Sequence, residues 1–97
     1  MMTNNTPLEK YIEGKVCDYA DSLGILHRKF SSPSCRSVPD RLFAPFQKPM
    51  FLVEFKRAGG RPTITQAREH AKFRMQGVSV FVIYNVQDGY ALMDRMK

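Results

Sequence analysis

The sequence is poor in the residues and segments that several protein classes require. It has two cysteines, Cys17 and Cys35, and two histidines, His27 and His70, which are too few for a disulfide scaffold or a Cys/His metal cage. No apolar run approaches the roughly 18 residues that span a bilayer. The N-terminal segment lacks the basic and then apolar build of a signal peptide. We therefore expect an intracellular, cytoplasmic protein with reduced cysteines, Cys17 in the core and Cys35 incidental.

Basic residues outnumber acidic ones in this chain. Fifteen Lys and Arg against nine Asp and Glu give a formal charge of +6 and a pI near 9.6. Such a balance favours a polyanionic partner, bound through phosphate contacts and counterion release. The 97 residues, 43% of them hydrophobic, predict one folded domain over residues 1–97.

Periodicity predicts alternating helices and strands. In chain order they are a helix over residues 7–23, strands over 25–30, 38–44 and 50–57, a helix over 63–76, a strand over 78–84 and a short closing helix over 86–97. The first helix has an apolar stripe at three- and four-residue steps, with Thr6 as its cap. The second opens with a capping box of Thr63 and Gln66. Its predicted buried side consists of Ile64, Ala67, Ala71 and Met75.

The connections between the strands define the fold. The short turn over residues 45–49 makes the second and third strands an antiparallel hairpin. The strand–helix–strand unit over residues 50–84 makes its two strands parallel. The order is therefore αβββαβα, an α/β fold with a mixed sheet and helices packed against it.

The predicted hairpin brings charged residues together at one end. Glu54 and Lys56, two residues apart on a strand, point to the same face, whereas Phe55 points to the other. The hairpin arms match in length, so Asp40 and Glu54 face each other. Two carboxylates this close repel unless a cation lies between them, and carboxylates are ligands that Mg²⁺ or Mn²⁺ prefers. The Phe55 carbonyl is a further candidate ligand, and Lys56 is placed to orient the attacking water.

A Glu-x-Lys triplet at a strand end is also frequently a solvated ion pair, so the pattern alone leaves a structural and a catalytic interpretation open. The surrounding residues, however, resemble a known family. Val38-Pro39-Asp40 followed by Glu54-Phe55-Lys56 resembles the PD-(D/E)xK nuclease signature, and in finer detail the VRR-NUC subgroup. Further matching segments, in the same order as in the family, are Tyr11-Ile12-Glu13, Ser32-Pro33, Arg41, Arg57-Ala58-Gly59, Pro62-Thr63, Gln66, His70 and Gly77. The resemblance covers nearly the whole chain and implies a restriction-endonuclease-like αβββαβ core.

The resemblance also implies roles for individual residues. The implied catalytic residues are Asp40, Glu54, Lys56 and Gln66, and the implied metal ligands are Glu13, Asp40 and Glu54, with the Phe55 carbonyl added from the hairpin geometry. Glu9 is the alternative to Glu13, and Gln66 has a second possible role as the capping partner of Thr63. For His70, one turn beyond Gln66, both an approach to the site and simple packing stay open.

Five basic residues bracket the proposed site and are the expected phosphate contacts: Arg28, Lys29, Arg36, Arg57 and Arg61. The family often has Arg and Gly in the loop where this chain has Cys35 and Ser37. Arg36 is therefore the best phosphate contact in that loop.

The expected function is that of a metal-dependent, structure-selective DNA endonuclease using Mg²⁺ or Mn²⁺, in a bacterium or a phage-infected host cell. Stand-alone members of the family resemble Holliday-junction resolvases, which implies branched DNA as substrate and a homodimer, since paired nicks need paired sites. Two alternatives stay open. One is a non-catalytic nucleic-acid-binding domain with structural carboxylates, and the other is a small assembly module of a phage or mobile element.

Overall fold

The structure, a computed structural model, describes residues 5–97, with side chains from Leu8 onward. Its elements are α1 (Asn5–Ser22), β1 (Leu26–Lys29), β2 (Arg41–Ala44), β3 (Phe51–Phe55), α2 (Ile64–Met75), β4 (Ser79–Ile83) and α3 (Val86–Met96). Because α1 already begins at Asn5, Thr6 is not its cap as predicted, and the Thr6 side chain lies outside the described part. Within residues 5–97, no helix has both the length and the apolar character needed to cross a membrane.

The four strands form one mixed sheet in the order β1-β2-β3-β4. The β1–β2 and β2–β3 pairs are antiparallel, and β3 and β4 are parallel. This topology confirms the predicted αβββαβ core, which α3 follows. The second strand is shorter than predicted and begins at Arg41, because Pro39 has no N–H to donate to a ladder.

The core lies on one face of the sheet, under α1 and α3. Alternate residues of β3 point into it, namely Phe51, Val53 and Phe55, and all three are buried. The two helices that cover this face also supply buried residues. Those of α1 are Ile12, Val16, Cys17 and Ala20, and those of α3 are Leu92 and Met93. Alternation along β3 sends Leu52 and Glu54 to the opposite face, where side chains of α2 meet Glu54.

The prediction of which face of α2 points into the protein is wrong. Ile64 and Met75 are 73% and 84% exposed, and Ala67 and Ala71 are exposed as well. The buried residue of this helix is His70, which the turn of about 100° per residue places to one side of the predicted stripe. The inward face of α2 is polar because it covers a buried carboxylate rather than the apolar core.

Candidate active site

Asp40 and Glu54 lie opposite each other at the open end of the β2–β3 hairpin. The ladder pairs Phe43 with Phe51 and Arg41 with Val53, so its next step places Asp40 against Glu54, as the matched arms predict. The Asp40 side chain is fixed in this position, since its Oδ2 accepts a hydrogen bond of 2.8 Å from the Phe55 N–H. Two carboxylates are thereby held on adjacent chain segments.

Glu54 is a buried carboxylate surrounded by three polar side chains. It is 2% exposed. Its Oε2 lies 3.7 Å from Lys56 Nζ and accepts a hydrogen bond of 3.3 Å from Gln66 Nε2. Its Oε1 lies 3.6 Å from His70 Nε2 and is buried without a hydrogen-bond partner. The polar groups of α2 and β3 therefore satisfy one oxygen of this carboxylate and leave the other free.

Burial and mutual repulsion act on both carboxylates. Burial, followed by the negative charge of Asp40, raises the pKa of Glu54 to about 8, against the opposing influence of Lys56. Burial also raises the pKa of Asp40, with the Phe55 N–H and Lys56 acting in the other direction. Without a cation, the pair therefore resists full ionisation at neutral pH.

The donor set fits a hard divalent cation. Asp40 and Glu54 supply carboxylate oxygens of the kind that Mg²⁺ and Mn²⁺ prefer. The unpartnered Glu54 Oε1 is an oxygen that a cation would satisfy. Among residues 5–97, no cluster of three or more acidic, histidine or cysteine side chains is suited to hold a metal. The Phe55 backbone carbonyl and water would therefore have to complete the coordination.

Glu13 lies near this site but is engaged elsewhere. Its Oε2 accepts a hydrogen bond of 2.5 Å from Arg41 Nε, so the structure does not group it with Asp40 and Glu54. Its charge nevertheless raises the pKa of Asp40, just as the charge of Glu9, one turn earlier on α1, raises the pKa of Glu54. The charges of both Glu13 and Glu9 therefore act on the carboxylates of the site.

Gln66 has both of the roles that its sequence position suggested. Its Oε1 accepts from the Thr63 backbone N–H at 2.9 Å while its own N–H donates to Thr63 Oγ1 at 3.1 Å, which completes the capping box. Its Nε2 remains available and donates to Glu54. The cap thus fixes the side chain that orients the carboxylate.

His70 packs under α2 against Glu54 and is 1% exposed. Burial, together with the nearby positive charges of Arg74 and Lys56, lowers its pKa. A neutral imidazole beside a carboxylate of raised pKa adds no positive charge to the site. The sequence left open whether His70 packs in the interior or approaches the site. In the structure it does both.

The predicted phosphate contacts lie at different distances from the carboxylates. Lys29 and Arg36 line one depression together with Asp40, and the charge of Lys29 acts on Asp40. Arg57 directly follows Lys56 and is partly buried, and its Nη1 donates to Ala58 O at 3.3 Å. Arg28 is exposed on β1 and Arg61 is exposed in the loop before α2. Of the five, Lys29 and Arg36 share a depression with Asp40.

Sequence reasoning gave no role to Arg41 or His27, which connect to the site through Glu13. Arg41 Nη1 lies 3.3 Å from His27 Nδ1, and His27 Nε2 lies 2.9 Å from Asp21 Oδ1. This chain of contacts joins α1, β1 and β2 behind Asp40. The available signal was the position of Arg41, directly after Asp40 in the matching motif.

Comparison with known proteins gives two similarities. A protein described as "Putative nuclease p44", from Acyrthosiphon pisum secondary endosymbiont phage 1, is 39% identical over 75 residues, which cover 77% of this chain and 81% of that protein. A solved structure described as "VRR_NUC domain" has a TM-score of 0.83 and 28% sequence identity, over 92% of this chain and 97% of that one. No protein-family model matches the chain.

Proposed function

The chain belongs to the VRR-NUC domain nucleases, and from this premise we propose that it is a metal-dependent endonuclease that hydrolyses phosphodiester bonds in branched DNA. The observation that carries the proposal is the pair of carboxylates, Asp40 and Glu54, facing each other with Lys56 beside them. A solvated ion pair does not explain this arrangement, because Glu54 is buried and one of its oxygens has no partner.

The residues of the site divide the work of hydrolysis. Asp40, Glu54 and the Phe55 carbonyl would hold the ion, which supplies charge stabilisation at the phosphate and a more acidic water when bound. The ammonium group of Lys56 orients the attacking water and stabilises negative charge that builds up on the phosphate. Gln66 helps to hold the Glu54 carboxylate in one orientation by donating to its Oε2.

The basic residues around the site position the substrate without reading its sequence. Lys29 and Arg36, beside Asp40, are the proposed contacts for phosphates next to the scissile bond. Arg28, Arg57 and Arg61 extend the basic surface on either side. Binding through such contacts weakens steeply with salt. The alternative of an assembly module that is basic by accident predicts no salt-sensitive DNA affinity.

The proposal includes a homodimer with two active sites, since cutting both strands of a junction needs two. The supporting observation is the exposed stripe of α2, in which Ile64, Ala67, Ala71 and Met75 present an apolar surface that residues 5–97 leave uncovered. We expect Met75→Lys to convert the dimer to a monomer in sedimentation velocity. The matched change Phe46→Lys, on the exposed β2–β3 turn, should leave the dimer intact. A wild-type monomer at all concentrations would exclude this part of the proposal.

The decisive experiment is a cleavage assay with Mn²⁺ on junctions, flaps, nicked duplexes and linear duplexes. We expect Asp40→Asn and Lys56→Ala to lower the cleavage rate by about 10²-fold or more, the scale of losing one group that stabilises the transition state. Calorimetric titration should show Mn²⁺ binding to wild type and weaker binding to Asp40→Asn. Equal cleavage by all three proteins would refute the site, and DNA binding without any cleavage would establish the non-catalytic alternative.

A second comparison separates the two roles of Gln66. Gln66→Ala removes both the cap partner and the contact to Glu54, whereas Thr63→Ala removes only the cap acceptor. We expect both to lower the free energy of unfolding by about 1 kcal/mol, but only Gln66→Ala to lower cleavage well below that of wild type. Equal losses of activity would reduce Gln66 to a capping residue.

A further inference from the structure

A groove of about 560 Å³ lies beside the candidate active site, between α1, the segment after β3 and the start of α3. Its walls are mostly aromatic, aliphatic and basic, and include Leu8, Tyr11, Lys15, Arg57, Tyr84 and Tyr90. The volume lies within the roughly 300–1,000 Å³ of small-ligand sites. None of the described residues that line it is acidic.

The wall supplied by α1 is a face of this helix that the core does not use. Leu8, Tyr11 and Lys15 recur at three- and four-residue steps and therefore share one side of the helix. Leu8 is 56% and Tyr11 59% exposed, although the same helix buries Ile12 and Val16 completely or nearly so. An aromatic ring and an aliphatic side chain are thus more than half exposed at the groove.

Cations lie at the aromatic walls of this groove. Lys15 Nζ is 5.7 Å from the centroid of the Tyr11 ring. Arg57 lines the same groove, and its Nε is buried without a hydrogen-bond partner. Flat aromatic faces accept any nucleobase by stacking, and adjacent cations attract the phosphates on either side of it. The lining therefore suits a nucleotide in both volume and charge.

The groove adjoins the catalytic residues through the backbone of β3. Arg57, in the groove wall, directly follows Lys56, whose side chain points to Glu54. The β3–β4 register pairs Glu54 with Val82 and Phe55 with Ile83, so its continuation places Tyr84 next to Lys56. A nucleotide in the groove would therefore lie next to the backbone segment that carries Lys56.

We infer that this groove binds an unpaired nucleobase of the DNA substrate, a base in a single-stranded arm or one displaced from a branch point. The inference rests on the proposed function and gives it a structural basis for selectivity, because a base inside a continuous duplex is stacked on its neighbours and cannot enter. Recognition is by aromatic stacking and charge, so it tolerates every base.

The test measures DNA affinity in EDTA by fluorescence anisotropy, so that it does not depend on cleavage. The probes are a short duplex with a single-stranded thymidine arm, the same duplex with abasic sites in the arm, and a fully paired duplex. We expect Tyr11→Leu to weaken binding of the thymidine arm by about tenfold, the scale of one lost base–aromatic stack. Tyr84→Leu should show the same pattern, while affinity for the abasic and paired probes should change little.

The matched control is Phe46→Leu, which removes an exposed ring from the β2–β3 turn, outside the groove. It should bind all three probes like wild type. Equal losses on the abasic and thymidine probes, or no loss on either, would overturn the inference. So would a Tyr11→Leu variant that binds DNA normally but no longer dimerises, because the occupant would then be a second copy of the chain.

The two proposals can fail separately. If wild type with Mn²⁺ cuts none of the DNA panel but Tyr11→Leu still loses base-dependent affinity, the nuclease proposal fails and the groove stands. If cleavage depends on Lys56 and the tyrosine variants bind every probe like wild type, the groove fails and the nuclease stands.

Discussion

We expect the substitution Glu54→Gln to stabilise the protein in the absence of metal. It removes a negative charge whose burial lowers the free energy of unfolding. Glutamine has nearly the shape of a protonated glutamate, so the packing against Gln66 and His70 is preserved. It cannot ionise, so the repulsion from Asp40 across the hairpin is absent at every pH. We therefore expect the metal-free variant to be more stable than wild type in alkaline solution.

The sign and size of this effect follow from the pKa of Glu54, which burial and Asp40 raise from 4.5 to about 8. The folded protein binds more protons than the unfolded chain between these values, so wild-type stability falls as pH rises through that window. One pKa unit corresponds to about 1.36 kcal/mol, which sets an upper limit of about 5 kcal/mol for full ionisation. The effective dielectric around buried groups is well above that of a dry interior, so we expect about 1–2 kcal/mol, or roughly 5–15 °C in Tm for a chain of this size.

The assay is thermal unfolding in EDTA, followed by circular dichroism at pH 5.5 and pH 9. The gap in Tm between Glu54→Gln and wild type should widen toward pH 9. The matched control is Glu69→Gln, which makes the same chemical change on α2 at a carboxylate paired with Lys72, and its gap should not depend on pH in this way. Added Mn²⁺ should stabilise wild type by mass action and Glu54→Gln much less.

Two outcomes would refute this reasoning. A gap in Tm that does not change between the two pH values would mean that Glu54 is not held protonated by its surroundings. A variant less stable than wild type at pH 9 in EDTA would mean that the ionised carboxylate is fully compensated by Lys56 and Gln66, so no cation would be needed to offset its charge.

The remaining predictions concern packing and thiol chemistry. Gly89→Ala would place a Cβ 2.2 Å from Val16 Cγ2, so we expect α1 and α3 to separate at a cost of about 1–3 kcal/mol in unfolding free energy. Gly14→Ala, whose Cβ meets nothing within 4 Å, should instead stabilise α1 by up to about 1 kcal/mol; chemical denaturation of both variants measures the contrast, and equal effects would contradict it. Burial raises the pKa of the Cys17 thiol to about 11, so a thiol reagent should label only Cys35 in the native protein and both in denaturant, whereas rapid native labelling of Cys17 would contradict its burial.

The hairpin half of the candidate site could be predicted because its geometry is local. Strand alternation alone places Glu54 and Lys56 on one face, and equal arm lengths around a short turn place Asp40 opposite. Neither inference requires knowledge of what packs on the sheet. The same holds for Gln66, whose position relative to Thr63 is fixed by the first turn of its own helix.

The partners of Glu13 could not be predicted because they depend on packing between distant segments. Arg41 follows Glu13 by 28 residues, and nothing in either local pattern states that α1 crosses β2 at this point. The local sequence around Glu13 and around Arg41 predicts only a charged surface residue in each case. Their pairing depends on how the chain folds. The family resemblance assigns Glu13 to the metal, whereas in the structure its carboxylate pairs with the guanidinium of Arg41.

The inverted face of α2 has a more general cause, because a hydrophobic pattern indicates which residues avoid water and not which surface they avoid it against. The sequence has one apolar stripe on this helix, and reasoning from a lone chain assigns it to the chain's own core. The inward position is instead required by chemistry, since a carboxylate buried on the sheet needs Gln66 and accommodates His70, and apolar side chains there would leave Glu54 without a donor. The apolar stripe then lies on the outside of the described fold. In this fold the polar inward face of α2 thus adjoins the buried Glu54, and its apolar outward face supports the proposed contact with a second copy.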